Sequence, residues 1–253
     1  MAHVIPFHGT LYNPATVGDV RQVVAPPYDI IDASLQKTLH DRHPNNVIRL
    51  ELGYEQPGDT TGNNKYLRAA GALKEWLKSG ALRRDDKPAI YYHTIEYQPP
   101  YSAPGTPTKV FKGFLSTVEL EEFGSGKIYP HENTRAAAKT DRLNLLEACR
   151  ANFSAIISLY SDPQNDVLTL IERSIASDKP RIDFQDDVGF RQRLWSVTDP
   201  AVLAKVVEIM HTKQLFIADG HHRYETALNY RRARRQQADA PSGPQPYDNV
   251  LML

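Results

Sequence analysis

Asp219, Gly220, His221, His222, Arg223 and Glu225 crowd into "LFIADGHHRYETALNY" (215–230), where an apolar run ends and a helical pattern begins. The first turn of a helix leaves backbone amides unpaired and carries a partial positive charge. A glycine just ahead of it lets the backbone approach an anion closely. Histidine and arginine in the first turn add charge-assisted donors, which together make a phosphate pocket. Arg223 can fork onto two phosphate oxygens, and His221 and His222 can donate from their ring nitrogens. Asp219 suits a different role, which is to hold a metal bound to the phosphates, orient a histidine, or take a proton. The plainer alternative is that Asp219 only caps the helix.

A second polar cluster lies in "GKIYPHENTRAAAKTDR" (126–142). His131 and Glu132 precede a helix that Thr134 is placed to cap, and Lys139, Asp141 and Arg142 follow on it. A His-Glu pair at such a junction suits a general base or a metal ligand; a capping network with helix-face ion pairs is the equal alternative. In "VVAPPYDII" (23–31) Asp29 follows two prolines that fix a rigid turn, a platform for an aimed carboxylate or simply a turn aspartate. In "NNVIRLELG", Arg49 and Glu51 are expected on one face of a strand as an ion pair.

The elements that must carry these groups follow from periodicity. "SLQKTLHDRH" reads as a short helix capped by Ser34, and "NVIRLELG" alternates like a strand. "NNKYLRAAGALKEWLKSG" sets Tyr66, Ala70, Leu73 and Leu77 on one helical stripe with Trp76 beside it, and Gly80 as a stop. "PAIYYHTIEYQ" and "KVFKGFLSTVELEEF" read as two strands of a hairpin with a long tip. From about residue 130 strands and helices alternate: a helix through "RAAAKTDRLNLLEACRANF", strand "AIISLY", helix "DVLTLIERSIAS", strand "RLWSVT", helix "PAVLAKVVEIMH", strand "LFIAD" and the helix after Gly220. This predicts a mixed α/β fold with layered sheet and helices. The 253 residues are read as a single α/β domain, with a possible division into a strand-rich part (1–125) and a strand-helix part (126–253). "PYDNVLML" reads as a strand cut short, so an N-terminal fragment of a longer chain is expected.

Bulk properties exclude several classes. Thirty Lys and Arg balance thirty Asp and Glu, so no general pull toward nucleic acid or an anionic membrane is expected. The run "RRARR" (231–235) is expected as a solvated face. No apolar run reaches the roughly 18–20 residues needed to span a bilayer, and the N-terminus lacks a signal-peptide pattern. The lone Cys149 excludes an internal disulfide framework and is expected packed rather than reactive. A cytoplasmic protein is expected.

The order of these pieces resembles the DUF1015 family of bacterial and archaeal proteins. The resemblance rests on "VVAPPYDII", "HPNNVIRLELG" (43–53), "GKIYPHENT" with "KTDRLNLLEA" (126–148), "ANFSAIISLY" (151–160), "RLWSVTDP" (193–200) and "FIADGHHRYETALNY". One departure is Gln192, where the family pattern commonly has histidine. More distantly, Asp219, Gly220, His222 and Arg223 look like the phosphate-binding turn of the ParB/sulfiredoxin-like superfamily, which includes CTP-hydrolysing ParB proteins, sulfiredoxins and free serine kinases. That resemblance implies a ParB/sulfiredoxin-like core around the turn and nucleotide-dependent phosphoryl transfer to a small hydroxylated metabolite such as free serine. ATP or ADP with Mg²⁺ would be held by Gly220, His221, His222, Arg223 and His131. Asp219 or Glu132 would hold the metal or accept the hydroxyl proton, with Asp29 as a further candidate base. The alternatives are a metal-dependent hydrolase using His131, Glu132, Asp219, His221 and His222 as ligands, and a non-catalytic nucleotide sensor.

Overall fold

The computed structural model describes residues 2–103, 105–132, 136–237 and 239–253. Its strands are β1 (Val4–Ile5), β2 (Thr10–Tyr12), β3 (Leu82–Arg84), β4 (Ile90–Tyr97), β5 (Lys109–Glu119), β6 (Ile128–Tyr129), β7 (Ile157–Leu159), β8 (Ile182–Gln185), β9 (Arg191–Val197), β10 (Leu215–Asp219) and β11 (Asn249–Met252). Its helices are α1 (Pro14–Val17), α2 (Ala33–Arg42), α3 (Ile48–Glu51), α4 (Lys65–Ser79), α5 (Ala136–Cys149), α6 (Asp166–Ser174), α7 (Pro200–Met210) and α8 (His221–Arg235). The fold is mixed α/β, with sheets of six, three and two strands among the described residues.

The large sheet runs β1-β5-β4-β9-β8, with β11 also on β5. It therefore takes strands from both sides of residue 125. The aromatic and branched residues of β4 and β5 form the expected antiparallel hairpin, from Tyr91↔Leu115 to Tyr97↔Lys109. In the small sheet β10 lies between a parallel β6 and an antiparallel β7, and an Ile156↔Met252 bridge ties β7 to β11. The main core packs Ile90, Tyr92, Val118, Val250 and Met252 of the large sheet against Val167 and Ile171 of α6, Val206 and Met210 of α7 and Tyr224 of α8. Burying such side chains stabilises by about 1.5–3 kcal/mol each. A smaller cluster, Ala69, Leu145 and Cys149, joins α4 to α5. Cys149 is a free, buried thiol, and burial pushes its pKa up to about 11.

Local signals placed most elements. Asn64 caps α4 by accepting from the amides of Tyr66 and Leu67, and Gly80 ends it in the left-handed region at φ 77°. The stripe is rotated from expectation: Trp76 is buried, whereas Leu77 is exposed. Asp32, not Ser34, caps α2, its Oδ1 accepting from the Leu35 amide at 2.8 Å. The expected strand at 47–52 is the helix α3. Buried Asn46 accepts from the Ile48 amide at 3.0 Å and donates to Gln22 and Val24 carbonyls, so a tertiary anchor starts the turn and overrides the alternation. Arg49 consequently donates to the His40 carbonyl rather than pairing with Glu51. Strand β8 is an addition to the expected elements; it forms because it can pair with β9, from Ile182↔Leu194 to Gln185↔Arg191. Thr134 lies outside the described residues.

Candidate functional site

The site is built at the carboxyl ends of two parallel strands, the position where open α/β sheets bind ligands. β10 ends in Asp219 and Gly220 starts α8. β6 ends at Tyr129 and delivers His131 and Glu132 beside it. Antiparallel β7 brings Ala155 to the same end, and a register shift between Ile217 and Asp219 re-aims the last residues of β10. Gly220 sits at φ 97° as the first residue of the turn and α8 has no side-chain cap hydrogen bond, so the plainer alternative, Asp219 as a helix cap, does not form. Instead Asp219 Oδ2 accepts from Arg223 Nη2, one helical turn on, and Arg223 Nη1 donates to the Ala155 carbonyl. The Arg223 side chain is 17 % exposed and that of Asp219 54 %. A Cβ on Gly220 would lie 3.0 Å from the guanidinium, so both the backbone angle and the packing of Arg223 require glycine here.

His221 points inward. Only 2 % of it is exposed, its Nε2 accepts from the His131 amide at 3.2 Å, and its ring stands perpendicular to that of His131 at 4.6 Å. Nδ1 lies 3.6 Å from Glu132 Oε2. Burial holds the imidazole pKa below its ordinary value, with Glu132 acting against that shift. The neutral ring therefore keeps its proton on Nδ1, facing Glu132, and ties the loop after β6 to the helix. His131 Nε2 lies 3.6 Å from Glu132 Oε1. His222 is half-buried on the same turn.

Beneath this turn lies a charge cluster that local sequence reasoning did not assemble. Arg142 of α5 is buried. Its Nη1 donates to Glu51 Oε1 and its Nη2 to the Glu51 carbonyl, both at 3.0 Å, and its Nε to Asp141 Oδ2 at 2.9 Å. Ser154 Oγ donates to Glu51 at 2.7 Å, one residue from the carbonyl that holds Arg223. Asp141 also takes Lys65 at 3.0 Å and the Tyr66 hydroxyl at 2.8 Å. Burial raises the Asp141 pKa, but Arg142 and these partners outweigh it and hold the carboxyl below its usual range. The Arg142 guanidinium lies 4.2 Å from the Tyr28 ring centre. Burial raises the Tyr28 pKa, while the charges of Arg142 and Arg223 oppose it. Asp29 is exposed on the turn after the two prolines. The available signal was that Tyr28, Glu51, Arg142 and Ser154 each fall in a segment that carries the family resemblance.

The remaining candidates resolve as follows. Among the described residues no three His, Cys, Asp or Glu side chains are grouped to hold a metal ion, so the five-residue hydrolase ligand set is not assembled. Gln192 bonds His93 and Asp186, each at 2.9 Å, within the large sheet. Arg231 and Arg232 pair with Glu122, and Arg235 with Asp248, so the basic run engages carboxylates of its own chain. No helix is long and apolar enough to cross a membrane among the described residues.

Fold and site together define a mixed α/β protein with a glycine-started strand-to-helix turn facing a His-Glu loop. The chain belongs to the DUF1015 family, described as "protein of unknown function", whose model matches residues 4–253. No curated protein and no solved structure matches it.

Proposed function

We propose that this protein binds a nucleotide by its phosphates at the start of α8 and transfers the terminal phosphoryl group to a small hydroxylated metabolite, with free serine the first acceptor to test. The observation that carries the reading is the convergence of the glycine-started helix, Arg223, Asp219 and the His131–Glu132 loop at the ends of β10 and β6. Gly220, His222 and Arg223 hold phosphate oxygens, and His131 borders them. His221, being buried, positions the loop. The exposed carboxylates of Asp219 and Glu132 suit Mg²⁺, which binds through one or two carboxylates plus phosphates. The acceptor oxygen attacks phosphorus, the bridging P–O bond breaks toward the nucleotide, and the hydroxyl proton passes to whichever of Asp219 and Glu132 does not hold the metal, or to Asp29. Such chemistry asks the protein for position and charge neutralisation. The resemblance of Asp219, Gly220, His222 and Arg223 to the ParB/sulfiredoxin-like turn supports the same reading.

The experiment is calorimetric titration with ATP, ADP and CTP, with and without Mg²⁺, on wild type and Arg223→Ala. Binding that Arg223→Ala weakens ~10-fold or more, as expected for a lost charge-assisted contact, supports the site. Equal affinity in both removes Arg223 from it. The pairing of Arg223 with Asp219 also suits a nucleotide sensor without turnover; product formation across hydroxylated acceptors separates the two.

A further inference from the structure

Alternate residues of a strand face the same side of its sheet, so Phe114, Ser116 and Val118 of β5 share a face, and Phe114 and Val118 pack into the main core. Between them Ser116 is 2 % exposed, yet its hydroxyl makes no hydrogen bond among the described residues. Buried hydroxyls are costly without a partner, and most have one. Ser116 lines a cavity of about 240 Å³. Leu168 of α6, Met210 of α7, Met252 of β11 and Leu215 of β10 form its apolar walls. Tyr160 also lines it, with its ring edge-on to Phe114 at 6.2 Å. The Tyr160 hydroxyl likewise makes no hydrogen bond among the described residues. Burial holds that phenol above its ordinary pKa, and the Asp162 charge adds to the shift, so it is a neutral donor. The charges at the cavity are already matched within the chain. Asp162 accepts from Lys213 Nζ at 3.1 Å and from the Val167 amide at 3.0 Å, and Lys112 pairs with Glu172 at 2.6 Å.

We infer that this cavity is a binding site for a small neutral molecule, an apolar body of about one ring carrying a single oxygen that accepts from the Ser116 and Tyr160 hydroxyls. The size fits such a ligand. An apolar cavity of ~150 Å³ takes benzene, and pockets for larger ligands run from ~300 to ~1,000 Å³. The chemistry of the walls fits it too. Apolar side chains surround a few convergent polar groups, which is the usual composition of a ligand pocket. An ionic ligand is disfavoured, because every charge at the cavity has its partner and a further ion would be buried uncompensated. Leu215 and Asp219 are opposite ends of β10, so this site is separate from the phosphate site proposed above and does not depend on it.

The chain has three methionines, and Met210 and Met252 line the cavity. NMR of ¹³C-methyl-methionine in the full chain therefore reports both occupancy and place. The probes are acetophenone and ethylbenzene, which share a ring and differ in the oxygen. Both are expected to shift the Met210 and Met252 signals in a saturable way. The ratio of acetophenone to ethylbenzene affinity is expected to fall about 5-fold in Ser116→Ala and in Tyr160→Phe, the scale of one neutral hydrogen bond. Ser116→Leu, which fills the space, is expected to abolish both titrations. If neither probe moves the two signals up to its solubility limit, there is no site. If both bind but the ratio is unchanged in both hydroxyl variants, the oxygen contact is wrong and the inference falls with it. Wild-type affinity in a folded Ser116→Leu would place the probes elsewhere and overturn it as well. Circular dichroism identifies any variant that has not folded. Ser116→Ala and Tyr160→Phe each remove only a hydroxyl, and they keep the test decisive if Ser116→Leu is lost.

Discussion

At the scale of single residues, Gly220 has the most constrained position in the site. Its φ of 97° is costly for any residue with a Cβ, and that Cβ would push on the Arg223 guanidinium. We expect Gly220→Ala to cost about 1–3 kcal/mol of stability from the strained backbone and to weaken phosphate binding by displacing Arg223. Urea denaturation beside the nucleotide titration checks both, and an unchanged midpoint with unchanged affinity would remove Gly220 from the site. His221 shows how far residue type alone can mislead. Its place beside His222 and Arg223 suggests a ligand contact, but the ring faces the His131 amide and Glu132. Side-chain direction on the first turn of α8 follows from what packs against it, and adjacent residues on a helix point about 100° apart.

At the scale of elements, the Arg142–Glu51 pair joins α5 to α3, and the Tyr28 ring packs on it from the turn after Pro26 and Pro27. Removing one member of a buried pair strands the other charge. Arg142→Ala is therefore expected to cost about 3–5 kcal/mol, while the apolar double variant Arg142→Met/Glu51→Leu loses much less. A denaturation cycle over the two singles and the double measures the coupling, and additive losses would show that the pair is not acting as a unit. The periodic elements were readable because their signals are local: Asn64 and Gly80 bracket α4, and Asp199 caps α7 by accepting from Ala201 and Val202 amides. The segment 47–52 was not, because its alternation is short and Asn46, bonded to carbonyls more than twenty residues earlier, decides its shape. Strand β8 likewise exists through its partner β9 rather than through its own pattern.

At the scale of the whole molecule, acid stability follows from groups in several layers. His40, His93 and His221 are all held below the ordinary histidine pKa of 6.5, each chiefly by burial. A depressed histidine is neutral when folded but takes up a proton when unfolded. Stability from these three is thus fully present above pH 6.5 and is lost as pH falls below it. The carboxyls of Asp141, Asp162, Glu121 and Glu172 are also held below their ordinary values of 3.8 and 4.5 by their partners, against burial that raises them. Their stabilisation is lost only below those values. A melting temperature flat above neutrality, declining first from about pH 6.5 and more steeply below the carboxylate range, is the expected profile in a thermal-shift series. A Tm that rises on acidification from pH 7 would contradict the histidine assignment.

From the sequence alone came the mixed α/β class and most element boundaries, because caps, glycine stops and hydrophobic period act over a few residues. The family followed from ordered segments spread along nearly the whole chain. Only the tertiary structure decided which charge meets which. Glu51 and Arg142 are 91 positions apart, and nothing local encodes that they touch. Arg223 turned out to face Asp219 and the Ala155 carbonyl, and His221 to face a loop 90 positions earlier. Those pairings depend on the order of strands in the small sheet and on how α5 packs on α8, and strand order is fixed by long-range contacts that periodicity does not contain.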